Sequence, residues 1–179
     1  MCFANYREAF VNVAIIDIKT RRKNNLLQLQ LKASPTKLHQ IDPCNLLVGT
    51  EGGKIEHWKI DGEGELVKVY DAHPESAAGI SVIMEIKSQD PLIRGESLKE
   101  GEVSKFKLLA TASLGAKEFR LWHLMLDTKE LQPYLKIETT IEGGIKYLLE
   151  TQPTQLVAAN DKALKFYDFI DKAEKEKNE

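Results

Sequence analysis

A chain of 179 residues that is 42% hydrophobic and 29% charged has the size and composition of one soluble globular domain with its own core. A formal net charge of −2 and a pI near 6.1 provide no general basic field for nucleic acid or an anionic membrane. No apolar run approaches the roughly 18–20 residues of a bilayer-spanning helix.

The opening stretch, MCFANYREAFVNVAII, has neither a basic n-region nor a small-residue cleavage site, so no secretory signal is expected. Two cysteines, Cys2 and Cys44, are too few for a disulfide framework and neither has a CxxC partner. Reduced thiols in a cytosolic compartment, without catalytic or metal duty, are the simplest reading.

Taken in chain order, the elements are all strands. VNVAIIDIK (11–19) is followed by NLLQLQLK, in which Leu27, Leu29 and Leu31 share one face and Gln28, Gln30 and Lys32 the other. The basic run KTRRKNN (19–25) lies between these two, at a hairpin tip, and makes Arg21, Arg22 and Lys23 the candidate contact for an anionic ligand. KLHQI (37–41) opens the next unit. NLLVGT is short and near-continuously apolar, as a strand buried on both faces would be. The stretch LLVGTEGGKIEHWKI (46–60) then runs through a Gly-Gly turn to Trp58, and ELVKVYD (65–71) closes the unit.

ISVIMEIK (80–87) alternates Ile80, Val82, Met84 and Ile86 on one face. SQDPLIRGESLKEGEVSK (88–105) is polar and contains Pro and Gly, an insertion longer than an ordinary hairpin loop. KLLATASLGAKEFRLWHL (107–124) repeats the layout of 46–60 and ends on Trp122. YLKIETTI (134–141) and IKYLLE (145–150) are further strands, and QLVAANDKALKFYDF (155–169) is a third copy in which Tyr167 takes the aromatic place. A charged tail, 170–179, is compatible with a solvated helix.

Stacking the copies aligns Ile16, Trp58, Trp122 and Tyr167. Three residues earlier stand Val13, Ile55, Phe119 and Leu164; two residues later stand Ile18, Ile60, Leu124 and Phe169. The spacings are 42, 64 and 45 residues, and the insertion 88–105 accounts for the excess in the middle one. A period of about 40–45 residues with four strands per unit marks a β-propeller repeat. The units carry two strands in the first, four in each of the next two, and three in the last, too few to close a propeller.

On these features the chain resembles a WD40-repeat protein over roughly 11–169. AHPES (72–76) resembles the Gly-His element before a first strand, with His73 in the His position. HWKI, LWHL and FYDF resemble the Trp-Asp end of the third strand, and Asp168 supplies the one aspartate that follows an aromatic. Asp161 resembles the aspartate of the turn between second and third strands; its counterparts in the other copies are Gly52 and Ala116. The family's buried tetrad of His, Ser or Thr, Asp and Trp is therefore expected only in part, from His73, Thr111 or Ser113, and Trp122.

The resemblance implies an all-β fold of WD40-like blades, two complete and two partial, at about 11–32, 37–71, 79–141 and 145–169, not closed by this chain alone. It implies a non-catalytic scaffold whose partners are other protein chains, one of them completing the propeller or packing on its open edges. The run LLVGTEGGKI is loosely similar to dynein intermediate chain propellers, which implies a cytoplasmic protein of a cytoskeletal or axonemal (ciliary) assembly. The alternative is a propeller module that binds a phosphoinositide or nucleic acid through 19–23. An enzyme is not expected: His39, His57, His73 and His123 have no ligand spacing, and no GxSxG, HExxH or P-loop occurs. No metal or cofactor is expected.

Overall fold

The structure is a computed structural model that describes residues 2–5, 9–17, 22–76, 78–87, 104–152 and 155–168. Among these residues every regular element is a β-strand, and no helix is long and apolar enough to cross a membrane. Arg21, most of the insertion 88–105, and the tail 170–179 lie outside the described residues. The described residues form fourteen strands in four antiparallel sheets, each a simple meander.

The first sheet contains β1 (Cys2–Asn5), β2 (Phe10–Asp17) and β3 (Arg22–Gln30). The second contains β4 (Pro35–Asp42), β5 (Asn45–Thr50), β6 (Lys54–Lys59) and β7 (Glu65–Asp71). In the third are β8 (Ile80–Ile86), β9 (Phe106–Ser113), β10 (Glu118–Met125) and β11 (Leu131–Glu138). The fourth has β12 (Tyr147–Gln152), β13 (Gln155–Ala159) and β14 (Leu164–Asp168). The chain divides into two compact units, Met1–Ile83 and Met84–Glu179, with the division inside β8.

Two departures from the sequence expectation have local causes. The first sheet has three strands rather than two, because β1 pairs with the beginning of β2, Cys2 opposite Val13 and Asn5 opposite Phe10. Its four residues, CFAN, are too few to display an alternation. The strand expected at 134–141 instead covers Leu131–Glu138 and takes in Pro133. That proline is accommodated because β11 is an edge strand and Pro133 adjoins a bulge, where no ladder N–H is required.

The bulge recurs. The pairing of β2 with β3 shifts register between Ile15 and Ile16, that of β6 with β7 between His57 and Trp58, and that of β10 with β11 between Leu121 and Trp122. In each of these three pairings the register slips immediately before the residue aligned with the tryptophans. On the strand that follows, β3, β7 or β11, the residues passed over are Asn24, Val67 and Tyr134. A bulge sharpens local twist, so three sheets are twisted at the same place.

Each sheet has a leading face, which carries the residue three positions before the column residue, and a trailing face opposite to it. In the first unit, Val11, Val13, Leu27, Leu29 and Leu31 of the first sheet's leading face pack with Leu38, Leu46, Val48, Trp58, Ile60 and Leu66 of the second sheet and the loop after it. On the second sheet's leading face Gly49 lies so close to Ile80 that a Cβ there would fall 2.7 Å from the Ile80 Cβ. Thr36 fixes the same approach by donating its hydroxyl to the Ile80 carbonyl at 2.8 Å. In the second unit, Phe119 on the leading face of the third sheet makes a T-shaped contact with Tyr167 in the fourth, centroids 5.2 Å apart at 79°.

Candidate interaction surface

The column aromatics occupy equivalent places. Trp58 stands opposite Leu46, Trp122 opposite Leu109 and Tyr167 opposite Leu156, and all three leucines are buried. Each aromatic then finds a different polar partner, because an indole N–H or phenol O–H inside a core must be satisfied. Trp58 Nε1–H donates to Glu56 Oε2 at 3.0 Å, and the other carboxylate oxygen accepts the backbone N–H of Lys32 at 3.1 Å. Trp122 Nε1–H donates to Thr111 Oγ1 at 2.9 Å. The Tyr167 hydroxyl is hydrogen-bonded to Thr139 Oγ1, which also accepts the Ile141 backbone N–H at 3.1 Å.

Of the expected tetrad, the Trp122–Thr111 bond is present. His73 is buried, and its backbone holds the loop before β8: its N–H donates to the Gly53 carbonyl at 2.8 Å, and its carbonyl accepts from Ser76 N–H at 3.0 Å. Gly53 has φ of 72°, and any Cβ there would collide with the His73 carbonyl, so this turn requires glycine. Asp161 is exposed and pairs with Lys146. The tight turn at Asp161 is instead held by its neighbour: Asn160 Oδ1 accepts the backbone N–H groups of Lys162 at 2.9 Å and Ala163 at 3.0 Å. An Asx turn of this kind has no need of the aspartate. Asp168 ends β14 on the exposed side.

Other polar groups are likewise engaged within the sheets. Buried His57 lies 3.0 Å from Asn45 Oδ1 through Nε2. His123 is sandwiched between Phe106 and Tyr134, with centroids at 3.7 and 4.3 Å. Glu118 binds Arg120 Nε and Lys136 Nζ, each at 2.6 Å. Burial pushes the Glu118 carboxyl up, but the hydrogen bonds from Lys136 and Arg120 outweigh it and hold the group below the usual carboxylate value. Lys146 is shifted up by its hydrogen bond to Asp161. Cys44 is free and exposed in the turn between β4 and β5. Among the described residues no group of three or more His, Cys, Asp or Glu side chains is arranged to hold a metal ion.

Arg22 and Lys23 fall on β3, opposite Asp17 and Ile16 in the pairing with β2. The anion site proposed for 19–23 is thus described only in the backbone of its last two residues.

The fourth sheet differs from the rest on its leading face. Register places Tyr147 and Leu149 of β12, Val157 and Ala159 of β13, and Leu164 and Phe166 of β14 side by side there. Tyr147, Leu149, Leu164 and Phe166 are 62, 61, 59 and 62% exposed, a continuous apolar surface on an otherwise mixed exterior. Strand alternation predicts a two-sided sheet at this place, but exposure depends on what lies against it, which no local pattern encodes. Glu56 escaped the sequence reading for a similar reason: it lies two residues before Trp58 on a strand, where a charged residue ordinarily marks a solvent face.

No family model matches this chain, and a search of curated proteins finds no relative for it.

Proposed function

We propose that the chain is a non-catalytic scaffold built from WD40-like β-propeller blades, the second and third sheets being complete blades and the first and fourth partial ones. The observation that carries this reading is the bulge that falls immediately before the aligned column residue in three successive sheets. Units related by sequence alone would share a hydrophobic pattern; units that share a bulge at one aligned position share a backbone. Within each unit, the packing of Val13 with Trp58 and of Phe119 with Tyr167 supports sheet-on-sheet stacking through the column aromatic. The described residues hold fourteen strands, fewer than the sixteen of a four-bladed ring, and on this reading the partners of the array are other protein chains.

The buried polar side chains named above are spent on internal bonds that fix sheet packing, as structural networks do. Function then resides in loops, rims and open faces. A cytoplasmic, cytoskeletal or axonemal assembly is the setting suggested by the run LLVGTEGGKI. The test is to purify the tagged chain from its native source at physiological salt. A stoichiometric complex with one or a few proteins is expected. A monodisperse, cooperatively melting monomer would end the scaffold reading. Liposome or nucleic-acid binding that survives the same salt and is lost on replacing Arg21, Arg22 and Lys23 would install the anion-binding alternative.

A further inference from the structure

We infer that the leading face of the fourth sheet is the docking site for a β-sheet of a separate partner chain, which lays an aromatic-bearing face over Leu164, Phe166, Tyr147 and Leu149. This rests on the scaffold reading and specifies which surface of the chain is used and what chemistry fits it.

The argument comes from equivalence inside the molecule. Val13, Ile55, Phe119 and Leu164 hold one position in four sheets. Ile55 is opposite Gly49, Phe119 opposite Ala112 and Leu164 opposite Ala159, so the small residue beside each is also equivalent. Val13 packs in one cluster with Trp58 of the following sheet, and Phe119 packs against Tyr167 of the following sheet. Ile55 and Phe119 are completely buried, whereas Leu164 is 59% exposed. The position that receives the following sheet's aromatic in the first and third sheets is open here, and its neighbours on the same face are apolar.

The occupant this surface fits is therefore a sheet. The small residue Ala159 stands beside Leu164 as Ala112 stands beside Phe119, which meets the Tyr167 ring. A helix would present ridges to a face that elsewhere in this chain meets a flat, twisted sheet. The edge adds a second handle. Among the described residues β14 is last in its sheet, while its equivalents β6 and β10 each pair with a fourth strand, β7 and β11. A partner strand added beside β14 would continue the ladder and carry the rest of its sheet over the apolar face. A second copy of this chain fits less well, since its first sheet places an aliphatic residue, Ile16, in the aromatic column and has Gln28 and Gln30 exposed.

The experiment places the photo-cross-linking residue p-benzoylphenylalanine at position 166 or 149 of the full chain in its native source, with position 67 as an exposed control on β7. The expected result is a cross-link from 166 and 149, but not from 67, to one peptide of another protein, alternating apolar and polar with a Trp, Tyr or Phe in it. Leu164→Asp, whose melting matches the parent, should lower recovery of that complex at least about tenfold. A cross-linked peptide from a second copy or from a continuation of this polypeptide overturns the proposal. So does a helical acceptor segment, or capture of lipid. If the complex forms undiminished with Leu164→Asp and no cross-link arises from 166 or 149, this inference falls while the scaffold reading stands. If the chain purifies alone, both fall.

Discussion

Phe119 and Leu164 stand at the same place in neighbouring sheets, three residues before an aromatic and opposite an alanine, yet one is completely buried and the other mostly exposed. The two sheets have similar strands, similar turns and the same alternation. They differ in that the Tyr167 ring packs against Phe119. A hydrophobic position in a repeat thus signals a face meant for burial, and its burial depends on a neighbour that the position itself does not provide.

The sharpest way to break this comparison is to truncate both residues. Phe119→Ala should cost about 3–5 kcal/mol in chemical denaturation, because the ring is enclosed and a cavity remains. Leu164→Ala should stay within about 0.5 kcal/mol in the isolated chain. Equal losses would mean that the fourth sheet's leading face is covered in solution and that the contrast is wrong.

A second pair of substitutions compares how the two tryptophans are satisfied. Glu56→Ala orphans the Trp58 indole and the Lys32 N–H, at about 1–3 kcal/mol for each donor left without a partner. Thr111→Val orphans the Trp122 indole alone and should cost about 1–2 kcal/mol. A double-mutant cycle between Glu56→Ala and Trp58→Phe should show strong coupling, read as non-additive denaturation midpoints. Additive effects would mean that Glu56 does not hold the indole.

The smallest expected effect is on pH dependence. Glu118 has its folded value held below the ordinary 4.5 by Lys136 and Arg120. A carboxyl depressed on folding adds stability that is present above the ordinary value and lost as pH falls through the folded one. Melting temperature should therefore decline less steeply below pH 4.5 in Glu118→Gln than in the parent chain. Parallel curves would show that the ion cluster does not act on folding.

Much of the fold was legible because alternation of period two is imposed by the pleat itself. The strands NLLVGT, ELVKVYD and QLVAA match their structural bounds, since each is delimited by turn-forming Gly, Asn or Asp residues. The column through Trp58, Trp122 and Tyr167 was legible too, and backbone pairing places all three opposite equivalent leucines. β1 was not legible, because a four-residue strand carries no period of its own. At the turn before β14 the side-chain acceptor is Asn160 rather than its neighbour Asp161, a choice between two Asx residues that only the backbone makes.

The amino-acid order by itself determined strands, their two faces and their recurrence, because those depend on contacts along and immediately across a ladder. Tertiary structure decided the shared bulges, the use of Glu56 as an internal acceptor, and which copy of a repeated apolar face is left open. Those are set by what packs on each sheet, and packing partners are distant in sequence, so identical local patterns end in opposite environments.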